Sequence, residues 1–173
     1  RINWSGYLFV SLLLGAISFT NYTDVRDGDY DIIRYYTYWA NISNSDNFVE
    51  ALIYIYTMSR DYGFYFFVYI LTRVLPDDPR WFSFSITSAT AFLIFLSFSN
   101  FCKKENLEHL VSKASSLVIF TLGFFCIIRF YDFTNALRQH FAFCLFLYVI
   151  STDLNKKVKI FLSCLPIAFH WSI

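Results

Sequence analysis

The chain alternates between long uncharged apolar runs and short polar stretches. A helix of about 20 apolar residues crosses a hydrocarbon core of about 30 Å, and two runs reach that length: Ile2–Thr23 with 22 uncharged residues and Trp81–Phe101 with 21. Two further runs, Ala114–Ile128 and Gln139–Thr152, have 15 and 14 residues, and another begins at Ile160. This pattern predicts an all-α protein, a polytopic bundle of transmembrane helices.

The two shorter runs cover only part of the membrane. A 14-residue helix is about 21 Å long at about 1.5 Å per residue. We therefore expect the polar residues that flank these runs, Arg129 and Arg138, to be drawn partly into the membrane. A charged side chain at such a depth is costly and usually has a function.

Composition supports a membrane protein, since 57% of the residues are hydrophobic and 23% are aromatic. The net charge of +1 and the lack of a basic stripe give no reason to expect nucleic acid as a partner. The four cysteines form no CxxC pair, so we interpret them as packed apolar residues. We expect one membrane domain over residues 1–173, truncated at both ends, with no cofactor and no metal.

The distribution of lysines predicts an orientation. Lysines concentrate in Lys103–Lys113 and Asn155–Lys159, which the positive-inside rule places in the cytoplasm. The intervening Arg129–Gln139 is then on the outer face, as is the lysine-free stretch Asp24–Asp61. Both assignments hold only if Tyr62–Leu75 is a re-entrant or interfacial helix that does not cross the membrane. The alternative is that the lysine distribution misleads.

The external stretch, residues 24–61, mixes charged residues, tyrosines and apolar pairs, and it is too aromatic to be disordered. It predicts short amphipathic helices at the membrane surface. If residues 31–38 are helical, one face carries Asp31, Arg34, Tyr35 and Tyr38. Such a face could bind a sugar and a phosphate, with an aspartate as general base. The alternative is a solvated loop with an Asp31–Arg34 pair.

The stretch NALRQHF places four polar residues at the start of an apolar run. Asn135, Arg138 and Gln139 share one helical face, and His140 is turned about 100° away. A guanidinium matches phosphate oxygens, so Arg129 and Arg138 at the outer ends of neighbouring helices would suit a diphosphate. The alternative is that each arginine snorkels to the interface, which the shorter amide side chains cannot do.

A histidine lies deep in the last apolar run, beside Trp171. His170 could carry a proton or donate a hydrogen bond to a sugar. The alternative is a core histidine that a neighbouring helix satisfies. No further ligands at helical spacing indicate a metal site.

Four motifs occur in a fixed order: DxxRYY from Asp31, DYGF from Asp61, NALRQHFA from Asn135 and FHWS from Phe169. In this order and spacing the chain resembles the EpsG-like family of bacterial polysaccharide polymerases, which includes many Wzy-type O-antigen and capsule polymerases. The most specific part is NxxRQ followed about 30 residues later by HWS. The resemblance extends over roughly residues 24–172.

The resemblance implies a multi-pass enzyme of the bacterial inner (cytoplasmic) membrane, a glycosyltransferase that joins oligosaccharide repeat units at the periplasmic or outer face. Its implied partners are the lipid bilayer, an undecaprenyl-diphosphate-linked oligosaccharide and a chain-length regulator protein. Asp31, or Asp29, would take the acceptor proton, and Arg138 would stabilise the diphosphate. The implied substrate-binding residues are Arg34, Tyr35, Arg129, Asn135, Gln139, His140 and His170.

Two other classes of function stay open at the level of sequence. A transporter or flippase of lipid-linked saccharides would use intramembrane arginines equally well, but it should carry charges at mid-membrane depth on several helices. A structural membrane protein would not need the polar face at Arg138. The charges cluster near one face, which favours an outward-facing enzyme.

Overall fold

The computed structural model describes residues 4–20, 31–58, 61–107, 109, 119–123 and 136–169, and every regular element within these ranges is a helix. The predicted all-α class is therefore confirmed. In chain order the helices are α1 (Trp4–Thr20), α2 (Asp31–Ser43), α3 (Phe48–Met58), α4 (Tyr62–Val74), α5 (Arg80–Lys104), α6 (Leu137–Ser151), α7 (Lys156–Leu162) and α8 (Leu165–Phe169).

Helix α5 is the central element of the bundle. It has 25 residues, or about 37 Å, and among the described residues it is the one helix long and apolar enough to cross a membrane. Helices α1, α3, α4 and α6 are apolar but shorter. The predicted run Trp81–Phe101 lies within α5, and Gln139–Thr152 corresponds to α6. Of Ala114–Ile128, only residues 119–123 are described, and these are helical.

The packing of α1 against α5 is inverted relative to a soluble protein. The small residues Ser11, Gly15 and Ser18 of α1 are buried together with Tyr7 and Leu14, whereas most of its large apolar residues are exposed: Leu8, Phe9, Leu12, Leu13 and Ile17. Small residues at a helix interface allow close backbone approach, and large apolar residues face lipid. This arrangement is that of a membrane protein.

Helices α1 and α5 run antiparallel. Phe19, near the end of α1, packs edge-on against Trp81 at the start of α5, with ring centroids 5.1 Å apart. Tyr7 stacks on Phe95, two-thirds of the way along α5, at 5.8 Å. The end of α1 therefore lies beside the start of α5.

Helices α5 and α6 run parallel and end together. Near their C-terminal ends, Asn100 Nδ2 donates to Ser151 Oγ at 3.2 Å, and Lys104 Nζ lies 3.4 Å from Asp153 Oδ1. Lys159 of α7 donates to the carbonyl oxygen of Ile150 at 3.2 Å. Lysines from both predicted cytoplasmic stretches thus lie at one end of the bundle, which we call the lysine end.

Helices α2, α3 and α4 pack together at the opposite end. The buried face of α2 has helical spacing and consists of Ile32, Tyr35, Tyr36, Trp39 and Ile42. This face joins one apolar cluster with α3, α4, the start of α5 and the start of α6. The predicted amphipathic helices of residues 24–61 therefore form, over the described part, and one face of them packs into the core. Their position at the membrane surface stays a prediction.

Helix α4 begins and ends at this same end of the bundle. Its first residues lie beside α6, while Arg73 near its last turn donates to the carbonyl oxygen of Ser45 at 2.8 Å. Only five residues separate Val74 from Arg80, where α5 begins. With 13 residues, α4 is about 20 Å long, shorter than a hydrocarbon core of about 30 Å. That α4 is a re-entrant or interfacial helix stays a prediction.

Candidate functional site

An ion pair joins α4 to α6. Asp61 directly precedes α4, Arg138 lies in the first turn of α6, and the Nη1 atom of Arg138 donates to Oδ2 of Asp61 across 77 residues of chain. The Asp61 side chain is 8% exposed and that of Arg138 is 24% exposed. A buried carboxylate is expensive unless a charged partner offsets the lost hydration. The pair therefore links the start of α4 to the start of α6.

The pair lies below the tip of the bundle. Helices α5 and α6 run parallel, with Asn100 beside Ser151, and Arg138 precedes Ser151 by 13 residues. The residue of α5 that precedes Asn100 by the same interval is Thr87, so Arg138 lies near the level of Thr87. At about 1.5 Å per residue, this level is about 10 Å from Trp81 along α5, in the direction of the lysine end. The guanidinium has its carboxylate partner inside the protein, which distinguishes Arg138 from an arginine that only snorkels.

Aromatic rings surround the pair on the α4 side. Tyr65, one turn after Asp61, is buried. Tyr38 of α2 packs edge-on against Tyr65 with centroids 4.9 Å apart. Phe67 of α4 stacks on Phe141 of α6 at 5.7 Å. An ion pair in such a low-dielectric setting is electrostatically strong, so the site combines a partly exposed cation with an apolar wall.

The structure places the residues of the predicted α2 face in different environments. Tyr35 is 5% exposed, and its ring packs between Phe64 and Phe82, at 5.9 and 5.4 Å. Arg34 is exposed, because successive residues of a helix are about 100° apart. Arg34 and Tyr35 therefore do not share one environment, and the contacts of Tyr35 are those of a core residue.

The two polar residues that follow Arg138 also differ from each other in burial. Gln139 is exposed. His140 is half-buried and lines a cavity of about 220 Å³ between α5 and α6, together with Phe98, Phe120 and Cys144. Of the described residues in NALRQHF, Arg138 is the one that the fold brings to Asp61.

Several predicted site residues lie outside the described part of the chain. They are Asp29, Arg129, Asn135 and His170, together with the side chain of Asp31, whose backbone begins α2. Their roles stay predictions.

Sequence reasoning missed Asp61 as a partner of Arg138. It named Asp61 only within the motif DYGF, although a carboxylate at the start of an apolar helix raises the same question as an arginine there. Two residues 77 positions apart show no periodic relationship in the sequence, so their pairing is visible only in the three-dimensional structure.

Two aspartates in the turn between α4 and α5 accept hydrogen bonds from side chains of the protein. Arg80 donates to Asp78 at 2.6 Å and lowers the pKa of that carboxyl, and Ser43 Oγ donates to Asp77 at 2.7 Å. Within the described ranges no three His, Cys, Asp or Glu side chains are grouped as metal ligands.

The EpsG family model matches residues 6–173. The chain belongs to the EpsG family. Neither the comparison with curated proteins nor that with solved structures gives a match. Membership of the EpsG family confirms the resemblance that the motifs indicate, and it supports a polymerase-like role in polysaccharide biosynthesis for a membrane protein. Asp61 and Arg138 both lie within the matched residues.

Proposed function

We propose that this EpsG-family protein is a multi-pass glycosyltransferase of the inner membrane that polymerises undecaprenyl-diphosphate-linked oligosaccharide repeat units at the outer face. The observation that carries the proposal is the Asp61–Arg138 pair at the end of the bundle opposite the lysine end. It supplies a fixed cation for a diphosphate at the start of an apolar helix. Family membership supports the class of reaction.

The reaction makes one carbon–oxygen bond, breaks another and moves one proton. A hydroxyl oxygen of the acceptor unit bonds to the anomeric carbon of the donor glycan, and the bond from that carbon to the diphosphate oxygen breaks. The diphosphate leaves with the electron pair, and the hydroxyl proton passes to a carboxylate. The cost of this step lies mainly in the charge that develops on the leaving oxygen.

Arg138 is suited to stabilise that leaving group. Its guanidinium carries five N–H donors and can hold two phosphate oxygens while still contacting a carboxylate. Asp61 accepts from Nη1, which fixes the plane of the guanidinium before a substrate arrives. Pre-organised donors cost little reorganisation during the reaction. Asp31 and Asp29 are the candidates for the proton acceptor.

A complementation experiment tests the proposal. In a strain that lacks the gene, the wild-type chain should restore the long glycan ladder on gels of the surface polysaccharide. Arg138→Ala should leave single repeat units, because the diphosphate loses its cation. Arg80→Ala is the matched control, since Arg80 pairs with Asp78 in the exposed turn and its loss should leave the ladder intact.

Two outcomes would contradict the proposal. A normal ladder with Arg138→Ala at wild-type expression would exclude Arg138 from the reaction. Accumulation of lipid-linked precursor on the cytoplasmic face, with no single repeat units at the surface, would instead identify a flippase.

A further inference from the structure

The lysines of the lysine end have two different environments. The ammonium groups of Lys104 and Lys159 both lie within 3.5 Å of the carbonyl oxygen of Ile150, in the last turn of α6. The C-terminus of a helix is partly negative, so these two lysines cap α6. Lys156 and Lys157, at the start of α7, are exposed and make no ion pair with a residue that the structure describes. We call them the α7 lysine pair.

Positive charge exceeds negative charge at this end of the bundle. Over residues 100–107 and 151–162 there are five lysines and two carboxylates, Glu105 and Asp153. The Asp153 side chain is 88% exposed and lies 3.4 Å from Lys104, so it does not compensate the α7 lysine pair. Cationic clusters of this kind, at the end of a membrane-spanning helix, attract anionic lipids.

Helix α7 leads away from the lysine end. Lys159 of α7 contacts Ile150 near the end of α6, whereas Phe169, at the end of α8, packs against Phe141 near the start of α6, with ring centroids 5.2 Å apart. The chain from α7 to α8 is therefore antiparallel to α6. Residues later in α7 lie farther from the lysine end than the α7 lysine pair does.

Each lysine of the α7 lysine pair is followed one turn later by a large exposed apolar side chain. Ile160 follows Lys156 by four residues and is 61% exposed, and Phe161 follows Lys157 by four residues and is 72% exposed. Side chains at this spacing share one helix face, with Cβ atoms about 5–6 Å apart. The exposed face of α7 thus changes from cationic to apolar over about one turn.

An anionic phospholipid has the same order of groups, a phosphate at the membrane surface and hydrocarbon beneath it. The long apolar helix α5 ends at Lys104, so the lysine end lies where headgroups meet hydrocarbon. The terminus of α7 is already capped, because Asn155 Oδ1 accepts from the backbone N–H of Lys157 at 3.0 Å. An anion would therefore meet lysine side chains, and burial of acyl carbons on Phe161 would favour a lipid over a soluble anion.

We propose that the exposed face of α7 binds an anionic phospholipid of the leaflet at the lysine end. The phosphate lies at the α7 lysine pair, and an acyl chain lies along Ile160 and Phe161. This site is at the end of the bundle opposite the Asp61–Arg138 pair and does not depend on the proposed function. Because α7 leads into α8, whose Ala168 lies against Gly63, the bound lipid anchors a segment that packs beside Asp61.

Native mass spectrometry tests the inference. The purified protein in detergent micelles is titrated with phosphatidylglycerol or with phosphatidylcholine of the same acyl chains, and the bound fraction of each lipid is measured. Phosphatidylglycerol should bind more tightly, and a higher salt concentration should reduce the difference, because salt screens exposed charges. Glycerophosphoglycerol carries the same charged headgroup without acyl chains, and it should not compete at equal concentration.

A matched pair of lysine variants checks the location of the phosphate. Lys157→Gln should weaken binding of phosphatidylglycerol about fivefold, since a lysine near an anionic lipid surface contributes about that factor. Lys103→Gln removes the same charge from the same end, but from α5 instead of α7, and should weaken binding less than about twofold. Both lysines are exposed, so the unfolding midpoint of each variant in phosphatidylcholine should equal that of the wild type.

A second matched pair checks the apolar half of the site. Phe161→Ala should weaken phosphatidylglycerol about fivefold, because part of the acyl contact is lost. Phe9→Ala removes the same ring from α1, where Phe9 is 63% exposed, and should leave binding unchanged.

Four outcomes would overturn the inference. Equal binding of the two lipids would mean that the α7 lysine pair is solvated or faces another partner, such as an acidic protein. Equal effects of Lys157→Gln and Lys103→Gln would replace the site by a diffuse field of charge. Full competition by glycerophosphoglycerol, or equal effects of Phe161→Ala and Phe9→Ala, would reduce it to an anion site without a hydrocarbon half.

Discussion

Gly63 of α4 lies directly against the backbone of Ala168 in α8. A Cβ atom at Gly63 would be 2.9 Å from the carbonyl oxygen of Ala168 and 3.0 Å from its Cβ. Real Cβ atoms rarely approach backbone atoms this closely, and backbone cannot rotate away as a side chain can. The contact therefore sets the distance between two helices just beyond Asp61.

We expect Gly63→Ala to push α8 away from α4 and to lower stability by about 1–3 kcal/mol, as overpacking does. The measurement is the midpoint of thermal unfolding in detergent. Gly123→Ala is the matched control, because a Cβ at Gly123 would meet nothing within 4 Å. Equal midpoints for the two variants would show that the contact with Ala168 is looser than the structure gives.

A second glycine prediction concerns α1 and α5. A Cβ at Gly15 would lie 2.0 Å from Ser88 Oγ and 2.8 Å from the carbonyl oxygen of Phe84, so we expect Gly15→Ala to separate the helices and lower the unfolding midpoint. Ser88→Ala should restore only part of the loss, because the contact with the backbone of Phe84 persists. Full restoration by Ser88→Ala would mean that the side chain alone limits the approach.

The Asp61–Arg138 pair predicts an asymmetry in stability. Asp61→Asn leaves the partly buried guanidinium of Arg138 without its carboxylate, and we expect a loss of about 3 kcal/mol, near the lower end for a broken buried pair. Asp78→Asn is the control, since its partner Arg80 is 44% exposed and such pairs contribute less than about 1 kcal/mol. Equal losses in thermal unfolding would contradict the burial of Asp61.

The two ends of the bundle predict opposite labelling. With the native cysteines replaced, Asp46→Cys, in the exposed α2–α3 connection, should react with an impermeant maleimide in intact cells. Lys157→Cys, at the lysine end, should react only after the membrane is opened. Reaction of both from the same side would exclude the proposed orientation, and with it a re-entrant α4.

The sequence predicted the helical class and α5 well, because long uncharged runs have few alternatives in lipid. It also indicated that Arg138 would lie below the membrane surface, since the run from Gln139 was too short to span. It could not predict Asp61 as the partner, because pairing between distant helices depends on packing. Nor did periodicity separate Arg34 from Tyr35, since which stripe of α2 is buried depends on α4 and α5.

Helices α5 and α6 stand side by side, yet α5 is about 37 Å long and α6 about 22 Å. A bilayer of uniform thickness cannot match both, and it accommodates a short helix by thinning beside it. The lipid surface is then lowered on the side of α6, which is where Arg138 and Asp61 lie. Under the proposed function, a hydrophilic glycan would reach Arg138 where the membrane is thinned, without crossing the full depth of the hydrocarbon.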